Sequence, residues 1–235
     1  MDKNVLTIDF GTQSVRVAVF DKTGKELAME KEKYNPPYFS SKPNYAEQEP
    51  NVYFEALCHC SKRLAQNHSE LLKTVMGATL TAFRDSAVLL DKNREVIRPM
   101  ILWLDQRNAE CKEPLPFFSR AAFRLVGMTD TVTVNRKRSV SNWLIENEPE
   151  NWAKVDKYIN ISTYFIYRLT GELKDSASDF AGHYPIDFKK RQWYKNPMKH
   201  LKGQIFSIEK RMLAEIVPEG SPIGKITEKA HEETG

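Results

Sequence analysis

The segment Val5-Leu6-Thr7-Ile8-Asp9-Phe10-Gly11-Thr12-Gln13-Ser14-Val15-Arg16-Val17-Ala18-Val19-Phe20 reads as two strands joined by a tight polar turn. Val5 to Ile8 is a short apolar run that ends at Asp9-Phe10-Gly11-Thr12. Val15, Val17 and Val19 then alternate with Arg16, Ala18 and Phe20, a period of two. Asp21-Lys22-Thr23-Gly24 is a turn whose glycine sits where a positive φ costs little, and Glu26 to Lys31 returns as a third strand.

Beyond this opening, a proline-bearing loop runs from Tyr34-Asn35-Pro36-Pro37 to Glu47-Gln48-Glu49-Pro50. A helix is expected from Asn51 to Asn67, and strands at Val75 to Thr81 and Ala87 to Leu90. Asp91-Lys92-Asn93 turns into a strand over Glu95 to Ile101. Val140, Trp143 and Leu144 mark a helix that stops before Pro149. Ser162 is placed to cap a short helix through Leu169, with Gly171 at its C-terminus. Antiparallel strands followed by alternating helices and strands make an α/β plan, a mixed sheet flanked by helices. The stretch from Ile216 to Gly235 is rich in Gly, Pro, Lys and Glu and does not read as the end of a fold.

Composition excludes several classes. The 235 residues carry 35 basic and 31 acidic side chains, a net charge of +4 that is too small to argue for nucleic acid. Arg136-Lys137-Arg138 and Lys189-Lys190-Arg191 read as solvated faces. No apolar run approaches the roughly 20 residues that cross a bilayer, and no secretory leader pattern precedes the first strand. Three cysteines in a chain of this length read as reduced thiols in a cytoplasmic protein. Cys58-His59-Cys60 invites a metal, but Tyr53, Leu57, Cys60 and Leu64 share one helix face, which makes Cys60 a core residue.

The turn carries chemistry. A carboxylate, Asp9, ends a buried strand; Gly11 allows a tight turn; Thr12, Gln13 and Ser14 expose amides and hydroxyls; Arg16 follows on the returning strand. Phosphate recognition needs such donors and charge, and a carboxylate beside them can hold magnesium. An ordinary hairpin whose polar groups satisfy one another is the other reading. D-x-G-T-x-S-x-R at this position resembles the first phosphate motif of the FGGY family of carbohydrate kinases and, more loosely, that of actin-like, ribonuclease-H-like ATPases. Neither a P-loop nor a G-x-G-x-x-G is present. The resemblance implies a ribonuclease H-like (actin-like ATPase) fold, ATP and Mg2+ as cofactors, Asp9 on the metal, and Gly11, Thr12, Gln13, Ser14 and Arg16 on phosphate.

Three more segments extend the likeness along most of the chain. Pro99 to Arg107 resembles the family's P-x-I-x-W-x-D-x-R element. There an aromatic face can cover sugar C–H surface, and a carboxylate and a guanidinium can meet hydroxyls. Trp103 as core and Asp105–Arg107 as a structural ion pair is the competing reading. Arg84-Asp85 resembles the Arg-Glu of glycerol kinases, whereas Asn135 stands where those enzymes use tyrosine, so the sugar is not named. Arg84, Asp85, Trp103 and Asp105 are the implied substrate contacts.

Tyr164 to Glu172 is similar to the family's Y-x-x-x-x-L-T-G helix end, and Asp187 with Trp193 to its D-x-x-x-x-x-W tail. Counting back from Trp193, the resemblance implies Asp175 as the catalytic base, in a loop, with Asp179 as the alternative. It further implies that residues 1–235 form the N-terminal sugar-kinase domain. A C-terminal kinase domain of the same protein, absent from this chain, would bind the adenosine, so the fragment alone is expected to be inactive. The likeness allows a homodimer of the full-length protein. Two other readings stay open: a catalytically silent sugar-binding or regulatory relative, and an actin-like ATPase without a sugar substrate.

Overall fold

The computed structural model describes residues 3–235, and its central sheet follows the opening alternation. β1 (Asn4–Phe10) and β2 (Ser14–Phe20) form an antiparallel hairpin with Ile8 opposite Val17 and Asp9 opposite Arg16; β3 (Glu26–Lys33) pairs antiparallel with β2. Val15 and Val17 are buried while Arg16 between them is exposed, as a sheet covered on one face requires. β4 (Glu47–Gln48) leads into α1 (Pro50–Asn67), whose proline sits in the first turn, where a missing amide hydrogen is harmless. The Tyr53, Leu57, Cys60 and Leu64 face of α1 is buried on β2 and β3, so Cys60 packs as a small apolar group. Arg63 anchors the same helix to Glu30 at 3.3 Å and Glu32 at 2.6 Å.

After the single turn α2 (Ser69–Leu72), β5 (Val75–Ala82) joins β1 in parallel and gives the sheet order β3-β2-β1-β5. β6 (Ala87–Leu90) leaves that sheet. The expected strand over Glu95 to Ile101 contracts to β7 (Met100–Ile101), which pairs with β4, plus one bridge between Leu90 and Val96. Arg94 has a φ of 69° and Pro99 lacks an amide donor, so the ladder cannot run through.

Two helices appear that the sequence did not announce, α3 (Phe117–Leu125) and α4 (Thr129–Arg138). Each buries little: Ser119 and Phe123 on α3, Val132 on α4. Arg136-Lys137-Arg138 forms the last turn of α4, where cations suit the helix dipole. α5 (Val140–Asn147) is capped by Ser139 and followed by α6 (Pro149–Trp152). β8 (Lys157–Asn160) pairs antiparallel with β6 and enters α7 (Ile161–Thr170), which closes at Gly171 with a φ of 77°. Ser162 does not cap α7; Asn160 occupies that position, and the Ser162 hydroxyl turns to Asp175.

β9 (Lys174–Ser176) is followed by the hairpin of β10 (Ile186–Asp187) and β11 (Gln192–Trp193), whose connection holds Lys189-Lys190-Arg191. The final stretch is ordered rather than a tail: β12 (Glu215–Val217) pairs in parallel with β9, and α8 (Glu228–Thr234) is capped by Thr227 and packs on α1 and α7. Among the described residues no helix is long and apolar enough to cross a membrane.

One contact sets how the sheet meets α7. Phe10, the last residue of β1, stacks on Phe165 with ring centroids 3.7 Å apart, and both rings are buried. Phe10→Ala removes that stack beneath the polar turn and is expected to cost about 3–5 kcal/mol in urea unfolding. A loss below about 1 kcal/mol would show that α7 does not depend on this contact.

Candidate active site

The turn at the end of β1 is fixed by its own backbone. The Gly11 amide donates to the Ser14 carbonyl at 3.0 Å, and the Tyr34 amide donates to the Gln13 carbonyl at 3.0 Å. Gly11 is therefore a structural member of the turn, and its amide is already used. Thr12 and Gln13 have no backbone donor bond among the described residues, which leaves their amides for a ligand. Asp9 and Arg16 lie opposite one another across the hairpin with Oδ2 and Nη1 3.5 Å apart, both about half exposed. In the open such a pair contributes little stability. Its charges are free for ligand chemistry.

A second corner is tied to the first. The Phe83 amide donates to the Phe10 carbonyl at 3.1 Å. Three residues on, the Ser86 hydroxyl accepts from the Trp103 amide at 3.0 Å, and the Trp103 indole Nε1 donates to the Thr12 hydroxyl at 3.2 Å. Trp103 is 54% exposed, so it is not core; its ring stands open beside the turn. Asp85 between these anchors has a φ of 58°, a left-handed conformation uncommon for a residue with a side chain. Arg84 beside it is exposed.

Asp105 departs from the expectation. Its Oδ1 accepts from the Arg107 amide and Nε, each at 2.8 Å; its Oδ2 accepts from Arg107 Nη2 at 2.7 Å and the Ala46 amide at 2.6 Å. The side chain is 2% exposed, so no lone pair is left for a sugar. Asp105 and Arg107 are the structural ion pair, extended by Glu47, whose Oε1 is 2.9 Å from Arg107 Nη1. The Arg107 guanidinium also lies over the rings of Tyr45 and Trp143.

Asp175 is not in a loop. It is the middle residue of β9, 3% exposed, and its Oδ2 accepts from the Ser162 hydroxyl at 2.6 Å and the Thr163 hydroxyl at 2.8 Å. Its Oδ1 accepts from the Ser176 amide at 2.8 Å. Burial, aided by the nearby Asp179 charge and opposed by these three donors, pushes its carboxyl up to about 7. Asp179 lies in the following single turn, where its Oδ2 accepts from the Ser176 hydroxyl at 2.6 Å. Neither carboxylate has a hydrogen bond to the hairpin, to Trp103 or to Asp85 among the described residues.

Sequence reasoning missed His183. Its ring Nδ1 lies 2.8 Å from Asp85 Oδ2 and 3.0 Å from Oδ1, and its amide donates to Oδ1 at 3.1 Å. The preceding Gly182 has a φ of 140°, and a Cβ there would stand 2.5 Å from Asp85 Oδ1. The Gly182-His183 pair was the available signal. Its meaning depends on a partner 98 residues away, which spacing cannot show.

The FGGY family of carbohydrate kinases, N-terminal domain, matches residues 4–235, and the chain belongs to that family. It is 30% identical over 215 residues to the xylulose kinase of Lactococcus lactis, covering 91% of this chain and 41% of that protein. Among solved structures, the gluconate kinase of Lactobacillus acidophilus superimposes with a TM-score of 0.77 at 20% identity, covering 100% of this chain and 46% of that one. The Plasmodium falciparum glycerol kinase with ADP does so with a TM-score of 0.71 at 19% identity, covering 99% and 47%. These likenesses show the actin-like α/β fold. The chain spans less than half the length of these relatives.

The buried Asp175 generates a pH prediction. Its carboxyl is raised in the folded state, so the native protein holds this proton more tightly than the unfolded chain does. That contribution is complete at the acid end and is lost as pH rises toward 7. The unfolding free energy of wild type relative to Asp175→Asn should therefore fall across pH 4–7, by up to about 1.4 kcal/mol per pH unit. Denaturant titrations at stepped pH check this, and a pH-independent difference would contradict it.

Proposed function

We propose that the full-length protein transfers the γ-phosphoryl group of ATP to a hydroxyl of a small sugar or polyol. This chain would supply the first phosphate motif and one wall of the sugar site. The supporting observation is the Trp103 Nε1 bond to the Thr12 hydroxyl, which joins an open aromatic wall to the phosphate-type turn. ATP as donor is supported by the family and by the ADP-bound glycerol kinase relative.

A sugar hydroxyl attacks the γ-phosphorus only when its oxygen lies in line and both reactants are held. In this reading the Thr12 and Gln13 amides, the Thr12 and Ser14 hydroxyls and Arg16 meet phosphate oxygens, with Gly11 shaping the turn. Trp103 covers the C–H face of the sugar, and Arg84 and Asp85 meet its hydroxyls. Asp9, half exposed at the strand end, fits a magnesium ion held by one protein carboxylate plus phosphate and water. The metal would neutralise charge on the phosphates.

The proton acceptor is read as lying outside the stretch from Asp175 to Asp179. Asp175 is enclosed by three donors, and Asp179, whose Oδ2 takes one bond from Ser176, has no hydrogen bond to the hairpin, Trp103 or Asp85 among the described residues. A general base needs a lone pair within reach of the attacking hydroxyl. We read residues 1–235 as the N-terminal domain, with the C-terminal part of the full-length protein completing the adenosine and phosphate sites. Edge strand β5 supports this, because Met76 to Thr79 are exposed although parallel strands are ordinarily covered.

Two outcomes are expected from phosphotransfer assays on the full-length protein with D-xylulose, glycerol and gluconate. Asp9→Asn should lower turnover by about 10²-fold or more and shift its magnesium dependence, since the carboxylate charge that would hold the metal is lost; unaltered turnover and magnesium dependence would remove Asp9 from the site. Asp175→Asn and Asp179→Asn should keep kcat within about tenfold. A loss of about 10²–10⁴-fold for either, the usual contribution of a positioned base, would return that residue to the chemistry.

A further inference from the structure

His183 gives Asp85 three contacts from a single residue. The backbone amide donates to Oδ1, and ring Nδ1 lies within hydrogen-bond distance of both carboxylate oxygens. Only acceptors face Nδ1, so this nitrogen carries the proton. The ring stands edge-on to buried Phe206, with centroids 5.9 Å apart and planes at 84°, and is itself largely buried. The preceding Gly182 comes close to the same carboxylate, where any side chain would collide with Asp85 Oδ1. Asp85 sits at a left-handed corner, one residue before the serine that holds the Trp103 amide. A free carboxylate at such a corner would rotate among rotamers; here one residue engages both of its oxygens.

We infer that His183 is a positioning residue of the sugar site: it holds the Asp85 carboxylate in one orientation, with its remaining lone pairs available to substrate hydroxyls. This rests on the reading of Asp85 as a sugar contact. Hydrogen bonds to a charged group are individually strong, and an acceptor held in place before the ligand arrives loses less rotamer freedom on binding. The ligand class is a hydroxyl donor, an uncharged sugar or polyol edge that gives its protons to a carboxylate.

The test uses the full-length protein, assayed with D-xylulose, glycerol and gluconate, and the best acceptor of these for steady-state kinetics. His183→Phe keeps a ring beside Phe206 and removes the donor. It should lower kcat/KM for the sugar by about tenfold to a hundredfold, mainly through KM, while KM for ATP moves less than about twofold. His183→Asn restores a donor near the Nδ1 position and should recover most of the loss. In an Asp85→Ala background His183→Phe should have no further effect.

An unchanged kcat/KM in His183→Phe, or an equal loss in the Asp85→Ala background, would overturn the inference. If Asp85→Ala alone leaves the sugar kinetics untouched, the sugar-site reading fails instead. Should none of the three acceptors be phosphorylated, NMR of the 15N-histidine-labelled protein still decides. A protected Nδ1 proton on His183 that disappears in Asp85→Ala supports the grip, and a proton on Nε2 alone refutes it.

Discussion

A buried cation organises this chain. The Arg107 guanidinium is 4% exposed, lies against the perpendicular rings of Tyr45 and Trp143, and is bonded to Asp105 and Glu47. Arg98 binds the same Glu47 and also Glu148, 2.9 Å away. Removing one partner of such a group leaves a charge without compensation in a dry interior, at a cost of about 3–5 kcal/mol. The network therefore locks together β4, the segment after β7 and the start of α6. Trp103 lies between β7 and Arg107, and its place beside the phosphate-type turn follows from that lock. The carboxylate that resembles a sugar ligand in the sequence is a buried member of this network, two residues after Trp103.

Where local chemistry decided the structure, the sequence was readable. Valine alternation made β2, and the Asp21 turn closed it with the side chain accepting from the Thr23 and Lys25 amides. The Tyr53 to Leu64 face buried α1, and Gly171 ended α7. Reading failed where long-range contacts chose among local options. Thr129 to Arg138 carries β-branched residues and buries only Val132, so no apolar stripe announced a helix. Lys157 to Asn160 is a strand because β6 lies beside it.

The site shows the same division. The turn from Asp9 to Arg16 and the Trp103 element are contiguous motifs, and both were legible as residue patterns. A carboxylate's partners are not. Asp105 and Asp85 look alike in sequence, each a short acid within two residues of an arginine, yet one is sealed by that arginine and the other is held by a histidine 98 residues away. The resemblance implies Asp175 as the base in a loop, but in the fold Ser162 and Thr163 close over it in a strand.

The amide of Phe83 bonds the last carbonyl of β1, and the Trp103 indole bonds the turn that follows. The polar turn and the Trp103 ring are thus stitched to a single strand end. Were a ligand to bring them together, ordering them would cost entropy at each encounter. Here folding has already set that distance. Under the proposed function the chain is one jaw whose two halves share a strand end, so closure around two reactants would come from parts that move against that strand end.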